Sequence, residues 1–168
     1  MSLSAFNALP ADEAARVLSG CLPVARWVAE VRDGRPYAAW PVLEEAAAAA
    51  AAQLTDDELD AALAGHPRIG ERASAGHNAA ASAREQSGVD PHDAEVSRAL
   101  AAGNAAYEER FDRVFLIRAA GRSAPEILAE LERRLGNDDA AERVETVTQL
   151  REIALLRLRQ VADEAGAA

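Results

Sequence analysis

Between Gly65 and Val89 the chain reads GHPRIGERASAGHNAAASAREQSGV, and most of the side chains that could do chemistry gather there. His66 and His77, two of the three histidines, lie in this stretch, with the pair Glu85-Gln86 near its end. Imidazole is the one side chain whose ordinary pKa lets it give and take protons near neutral pH, so His66 is the leading candidate for proton transfer. Pro67 has no backbone N–H and disfavours helix for the residue before it, which puts His66 where a helix ends. Two readings stay open on these residues alone. One is a histidine aimed into a pocket; the other, the blander, is a helix terminus whose His stabilises the last carbonyls. Asn78 is placed to cap a helix over 79–86 that Ser87-Gly88 would end, and on it Ser82, Glu85 and Gln86 share a face. A solvated helix shows such a polar face too.

The elements that must position these groups read as helices. Pro10 suits a first helical turn, with Ala11 to Leu18 continuing until Ser19-Gly20, after a short lead-in over Leu3 to Leu9. Pro23 begins a helix through Val31 that carries Trp27, and Asp33-Gly34-Arg35-Pro36 is a turn signal. Trp40-Pro41 opens a helix through the alanine run 46–52, alanine having the best helix propensity. Thr55 and Glu58 form a capping box for Asp56 to Ala64. Asp93 to Arg110 is helical, with Val96, Leu100, Tyr107 and Phe111 on one stripe. Asn104 lies on that stripe and needs a partner if buried; a structural hydrogen bond is the expectation. Val114 to Ile117 is an apolar run without helical period, a strand or a buried extended segment. Ser123 and Glu126 form a second capping box, for a helix to Leu135 closed by Gly136-Asn137. The last helix runs from about Asp138 to Val161, with Val144, Val147, Leu150, Ala154, Leu155, Leu158 and Val161 as its apolar face. No repeat and no linker-like shift in composition interrupts 1–168, so the expectation is one all-α domain, a compact bundle of seven or eight helices.

Composition narrows the function. The chain has 168 residues, 49% hydrophobic and 27% charged, as in a soluble globular protein. A net charge of −10 opposes nucleic-acid phosphates, though a local Arg can still receive an anionic substrate. Cys21 is the only cysteine, which excludes an intrachain disulfide and a CxxC metal site. No apolar run is long enough to span a membrane. The first residues lack the pattern of a secretory signal and the last four, Ala-Gly-Ala-Ala, are not a peroxisomal address, so a cytoplasmic protein is expected.

Taken together and in order, these residues resemble the 2-oxo-4-hydroxy-4-carboxy-5-ureidoimidazoline (OHCU) decarboxylases of urate catabolism. The resemblance rests on Trp27 followed by Arg35-Pro36-Tyr37, on His66-Pro67-Arg68-Ile69-Gly70, and on Ser82-x-x-Glu85-Gln86-x-Gly88. It continues in Asn104-x-x-Tyr107-x-x-x-Phe111, Phe115-Leu116-Ile117, Gly121-Arg122-Ser123, Arg134-Leu135-x-Asn137 and Glu152-x-x-x-x-Arg157-Leu158. Two departures stand out. Asp112, Arg113 and Val114 replace a frequent Gly-x-Pro, and Arg118 replaces a residue that is often small or Cys.

The resemblance implies an all-α homodimer without cofactor or metal that decarboxylates an anionic imidazoline to (S)-allantoin. It makes His66, Glu85 and Arg157 catalytic, and Pro67, Ser82, Ala83, Arg84, Glu85, Gln86, Phe115, Leu116, Ile117, Arg118 and Ala119 substrate-binding. Arg157 gains this role only through the resemblance, since most helix arginines are solvated. Two alternatives belong to other classes. A non-enzymatic helical interaction module would leave HPRIG and SxxEQ without a purpose. A metal enzyme using His66, His77 and Glu85, with His92 as a further donor, would lack any closed zinc spacing such as HxxxH.

Overall fold

The computed structural model describes residues 1–69 and 94–163. The expected helix over 79–86, and with it His77, Ser82, Ala83, Arg84, Glu85, Gln86 and His92, lies outside the described residues. Among the described residues the fold is all-α, as the periodicity implies, with eight helices and no strand. They are α1 (Leu3–Ala8), α2 (Ala11–Cys21), α3 (Ala25–Asp33), α4 (Trp40–Ala51), α5 (Asp56–Leu63), α6 (Ala94–Phe111), α7 (Ala124–Arg134) and α8 (Asp139–Asp163). No helix among these is long and apolar enough to cross a membrane.

Local chemistry explains most boundaries. Thr55 and Glu58 form the expected capping box, with Thr55 N donating to Glu58 Oε2 at 2.9 Å and Glu58 N to Thr55 Oγ1 at 3.3 Å. Ser123 N donates to Glu126 Oε2 at 2.7 Å, and Pro125 fills the first turn of α7. Three local features differ from what the sequence pattern suggests. The lead-in before Pro10 is helix α1, capped by the Ser2 hydroxyl, which accepts from Ala5 N at 3.2 Å. Helix α2 does not stop at Ser19-Gly20 but continues to Cys21, because burying Leu18, Cys21 and Leu22 outweighs the weak propensity of a Ser-Gly pair. Val144 is 63% exposed and not on the apolar face of α8, whereas Ile153 is buried on it.

The chain divides into two compact units, residues 1–62 with 151–168, and residues 63–150. In the first, the Trp27 indole donates to Ala47 O at 2.8 Å and anchors α3 on α4. Arg35 Nη1 donates to Phe6 O and Leu9 O at 3.0 and 2.9 Å, closing the end of α1. Asn7 and Tyr37 exchange amide bonds, and the Tyr37 hydroxyl donates to Val31 O. Gly34 packs so close to this hydroxyl that a Cβ there would collide with it. The Trp and Arg-Pro-Tyr motifs therefore build this unit's frame.

The second unit has a core of Ile69, Leu100, Tyr107, Phe111, Phe115, Ile117, Ile127 and Leu131. Helix α6 lies on α7 at Gly103, where a Cβ would stand 2.5 Å from Leu131 Cδ2. Alanine at 103 would gain about 1 kcal/mol of helix propensity. Crowding a fully buried leucine costs about 1–3 kcal/mol. Gly103→Ala is thus expected to lower Tm by several degrees on the size scaling of small domains; a melting temperature at or above wild type would show that Leu131 can turn aside.

Candidate active site

His66 follows the last turn of α5. Its backbone N donates to Leu63 O at 2.9 Å, so the residue stands at a helix end as Pro67 requires. His66 and Pro67 are half-buried, and His66 Nε2 is shielded from solvent. The next two residues are held on α6. Asn104 Nδ2 donates to Ile69 O at 3.1 Å, inside the core. One turn further, the Arg68 guanidinium forks onto the Glu108 carboxylate, with Nη2 at 2.8 Å from Oε2. That fork holds the Glu108 carboxyl below its ordinary pKa. Arg68, Ile69, Ser97, Asn104 and Glu108 are among the walls of a cavity of about 320 Å³.

The segment after α6 is the second part of the expected site. Residues 114–119 form an irregular segment between α6 and α7, neither helix nor strand. Phe115, Leu116, Ile117 and Ala119 are buried, and Arg118 is half-buried. Two side chains hold its backbone. Gln149 Oε1 accepts from Arg118 N at 2.9 Å, and Arg134 Nη1 donates to Leu116 O at 2.8 Å.

Arg134 sits at the centre of a buried polar network that the periodicity of the sequence does not reveal. Its side chain is 1% exposed and pairs with Glu142, which is fully buried. Arg134 Nε reaches Glu142 Oε1 at 2.8 Å. The other carboxylate oxygen accepts from Asn137 Nδ2 at 2.8 Å. Tyr107 donates its hydroxyl to Glu142 and receives Arg134 Nη2 at 3.4 Å, and Thr146 Oγ1 receives the same nitrogen at 3.2 Å. The guanidinium also lies over the Phe115 ring, 4.7 Å from its centroid. Arg134 and Asn137, two residues of one short motif, are thus both ligands of Glu142. A sequence signal for the partner was available only in the motif itself, since Glu142 reads as an ordinary first-turn acid.

The other expected residues fall elsewhere. Arg157 belongs to the first unit, on the C-terminal part of α8, and is buried, contrary to the default for a helix arginine. It lies close enough to Cys21 to offset part of the burial that pushes that thiol up to about 12. Ser82 to Gln86 lie outside the described residues. No group of three or more His, Cys, Asp or Glu among the described residues is placed to hold a metal ion.

A family model described as OHCU decarboxylase matches residues 7–159. The chain belongs to the OHCU decarboxylase family. It is 23% identical over 165 residues to the uric acid degradation bifunctional protein of Bacillus sp. (strain TB-90), a match covering 98% of this chain and 33% of that one. It is 37% identical over 76 residues to the 2-oxo-4-hydroxy-4-carboxy-5-ureidoimidazoline decarboxylase of Amia calva, covering 45% of this chain and 43% of that protein. In both relatives the match spans less than half of their length. A crystal structure of OHCU decarboxylase in the presence of (S)-allantoin shares the fold, with a TM-score of 0.71 over 86% of this chain and 96% of its own at 19% identity. (S)-allantoin synthase shares it with a TM-score of 0.69 over 97% of this chain and 55% of its own at 20% identity.

Within this family member the buried pair makes a clear energetic demand. Removing one partner of a buried ion pair strands the other charge and costs about 3–5 kcal/mol, whereas replacing both by apolar groups can be nearly neutral. Arg134→Met and Glu142→Leu are each expected to lose stability on that scale in urea unfolding, and the double variant to lose less than either sum implies. Additive losses would mean that the two side chains do not act as a pair.

The two tyrosines test the same burial by pH. Burial, then the hydrogen bond to Glu142, pushes the Tyr107 hydroxyl up to about 12, and burial also raises Tyr37. The unfolded chain releases these protons near pH 10, about the ordinary value. Between the two values the folded state holds more protons, so stability present below pH 10 falls as pH rises. Phenolate absorbance is expected to lag beyond pH 10 and then rise together with loss of helical circular dichroism. Phenolate appearing near pH 10 with the helix signal intact would contradict the burial of both hydroxyls.

Proposed function

We propose that this chain decarboxylates 2-oxo-4-hydroxy-4-carboxy-5-ureidoimidazoline to (S)-allantoin, without a cofactor or metal, as a cytoplasmic homodimer. The observation that carries the reading is the family match over residues 7–159, within which His66-Pro67-Arg68-Ile69 stands at a helix end. Loss of CO2 breaks a carbon–carbon bond at the hydroxyl-bearing ring carbon. The electron pair moves into the neighbouring ring C=N and leaves an enol between that carbon and the ureido-bearing one, so the reaction needs no external electron sink. The protein has then to hold the carboxylate, stabilise the charge that moves onto the ring heteroatoms and deliver one proton to one face of the ureido-bearing carbon as the enol becomes the carbonyl.

In this reading His66 delivers the proton. Glu85 accepts from ureido and ring N–H groups, and Ser82 and Gln86, with Ala83 and Arg84 beside them, complete that pattern. Backbone groups of Phe115, Leu116, Ile117, Arg118 and Ala119 line the substrate together with Pro67. Arg157 offers a planar fork to carboxylate or carbonyl oxygens, and its burial suits a desolvated anion partner better than a surface role.

The test follows circular dichroism of the product while uricase and hydroxyisourate hydrolase generate the unstable substrate in place. His66→Ala is expected to keep its fold and lose about 10²–10⁴-fold in rate, the usual worth of a placed proton donor. His77→Ala and His92→Ala are expected to stay near wild type, and equal losses in all three would point to a shared metal. Glu85→Gln and Arg157→Lys are each expected to lose about tenfold or more, a charged hydrogen bond being worth roughly 1.5–3 kcal/mol. Normal turnover in both variants would remove these two residues from the site.

A further inference from the structure

We infer that Asn104 and Glu108 are positioning residues for His66, fixing the imidazole by clamping the three residues that follow it onto α6. The two lie four apart in sequence and therefore on one face of the helix. Each takes hold of a different residue of the same short segment: Asn104 the backbone carbonyl of Ile69, Glu108 the side chain of Arg68. Before His66 the chain is held as well, by the bond from its own N–H to Leu63 O. His66 is thus bracketed, three residues after one anchor and two or three before the others. A proline immediately follows it, with φ fixed by its ring. Anchors this close leave the Cα–Cβ direction of His66 little freedom, which sets where its ring can reach.

The two anchors are of different kinds. Asn104 is 5% exposed, and its Oδ1 accepts no hydrogen bond among the described residues. Among the described residues the amide's hydrogen bond is the one it donates to Ile69 O, so it is spent on the loop. Glu108 is only partly buried, and its bond to Arg68 is a two-pronged charged fork. A charged fork has defined geometry as well as attraction, which is what a positioning contact needs. A purely structural role would require only that α6 and the loop pack together, and Ile69, Leu100 and Tyr107 already provide that.

The inference rests on the reading of His66 as proton donor, so the experiment has an arm independent of turnover. Histidine ring signals are recorded by NMR in wild type, Asn104→Leu, Glu108→Gln and the swap Arg68→Glu with Glu108→Arg. His66 signals are expected to move in the first two variants while those of His77 and His92 stay, and to return toward wild type in the swap. In the coupled assay, kcat is expected to fall about ten- to a hundredfold with KM little changed, the scale on which small misplacements of a reacting group act. Unmoved His66 signals in the folded variants would overturn the clamp. Moved signals with unchanged kcat would overturn its role in positioning. If Asn104→Leu does not fold, Glu108→Gln and the swap decide alone. A wild-type protein without decarboxylase activity would refute the proposed reaction, while the ring signals would still decide the clamp.

Discussion

The second unit depends on one buried ion pair. Arg134 and Glu142 are taken out of water, and such burial costs several kcal/mol per ion unless every remaining donor and acceptor is met. Here they are met in detail: Glu142 by Arg134, Tyr107 and Asn137, and Arg134 by Glu142, Thr146 and Leu116 O. A network satisfied in this way specifies one arrangement, because any shift strands a charge in low dielectric. The arrangement it specifies includes the carbonyl of Leu116. A segment with no ladder of its own among the described residues is fixed by a guanidinium and, two residues later, by the Gln149 amide.

Helix α6 connects this centre to the His66 loop. Within four residues it presents Asn104 and Glu108 to residues 68 and 69, and Tyr107 to Glu142 and to the edge of Phe115, 5.1 Å between centroids. The motif Asn-x-x-Tyr thus has two directions, one for each segment of the proposed site. Position along α6 sets the register of both. This is a reason for an asparagine on an apolar stripe, where an aliphatic residue would pack but would leave the Ile69 carbonyl without its donor.

Much of this was legible in the residues, and the exceptions have physical causes. Capping boxes at Thr55 and Ser123 are local, so spacing alone located them. The hydrogen bond of Asn104 was expected from its stripe, but its partner was not, since periodicity places a residue on a face without saying what faces it. Arg134 and Glu142 were not recognised as buried, because charged residues on helices are usually solvated. Only pairing reverses that default, and pairing is a tertiary fact. Arg157 is the same case: its burial has no local signature. Helix α2 ran past Ser-Gly because packing overrides propensity. The residues expected at 82–86 lie outside the described structure, so their part in the site rests on the motif.

The two departures from the family pattern are instructive about what the backbone requires. Asp112 stands where relatives often carry Gly, and it adopts a left-handed conformation, φ 51°. Glycine enters that region without steric cost, and aspartate is among the few other residues that do so at modest cost. Asp112 N donates to Glu108 O at 2.9 Å and closes α6. Arg113 then braces the turn, with Nε on Phe111 O at 3.2 Å and Nη2 on Asp139 at 2.9 Å. Val114 opens the irregular segment that leads to Phe115. At Arg118 the backbone N–H is taken by Gln149 and the guanidinium turns to Ala120 O at 3.1 Å. Within the segment the backbone is held by Arg134 at Leu116 O and by Gln149 at Arg118 N, so its course does not depend on the Arg118 side chain.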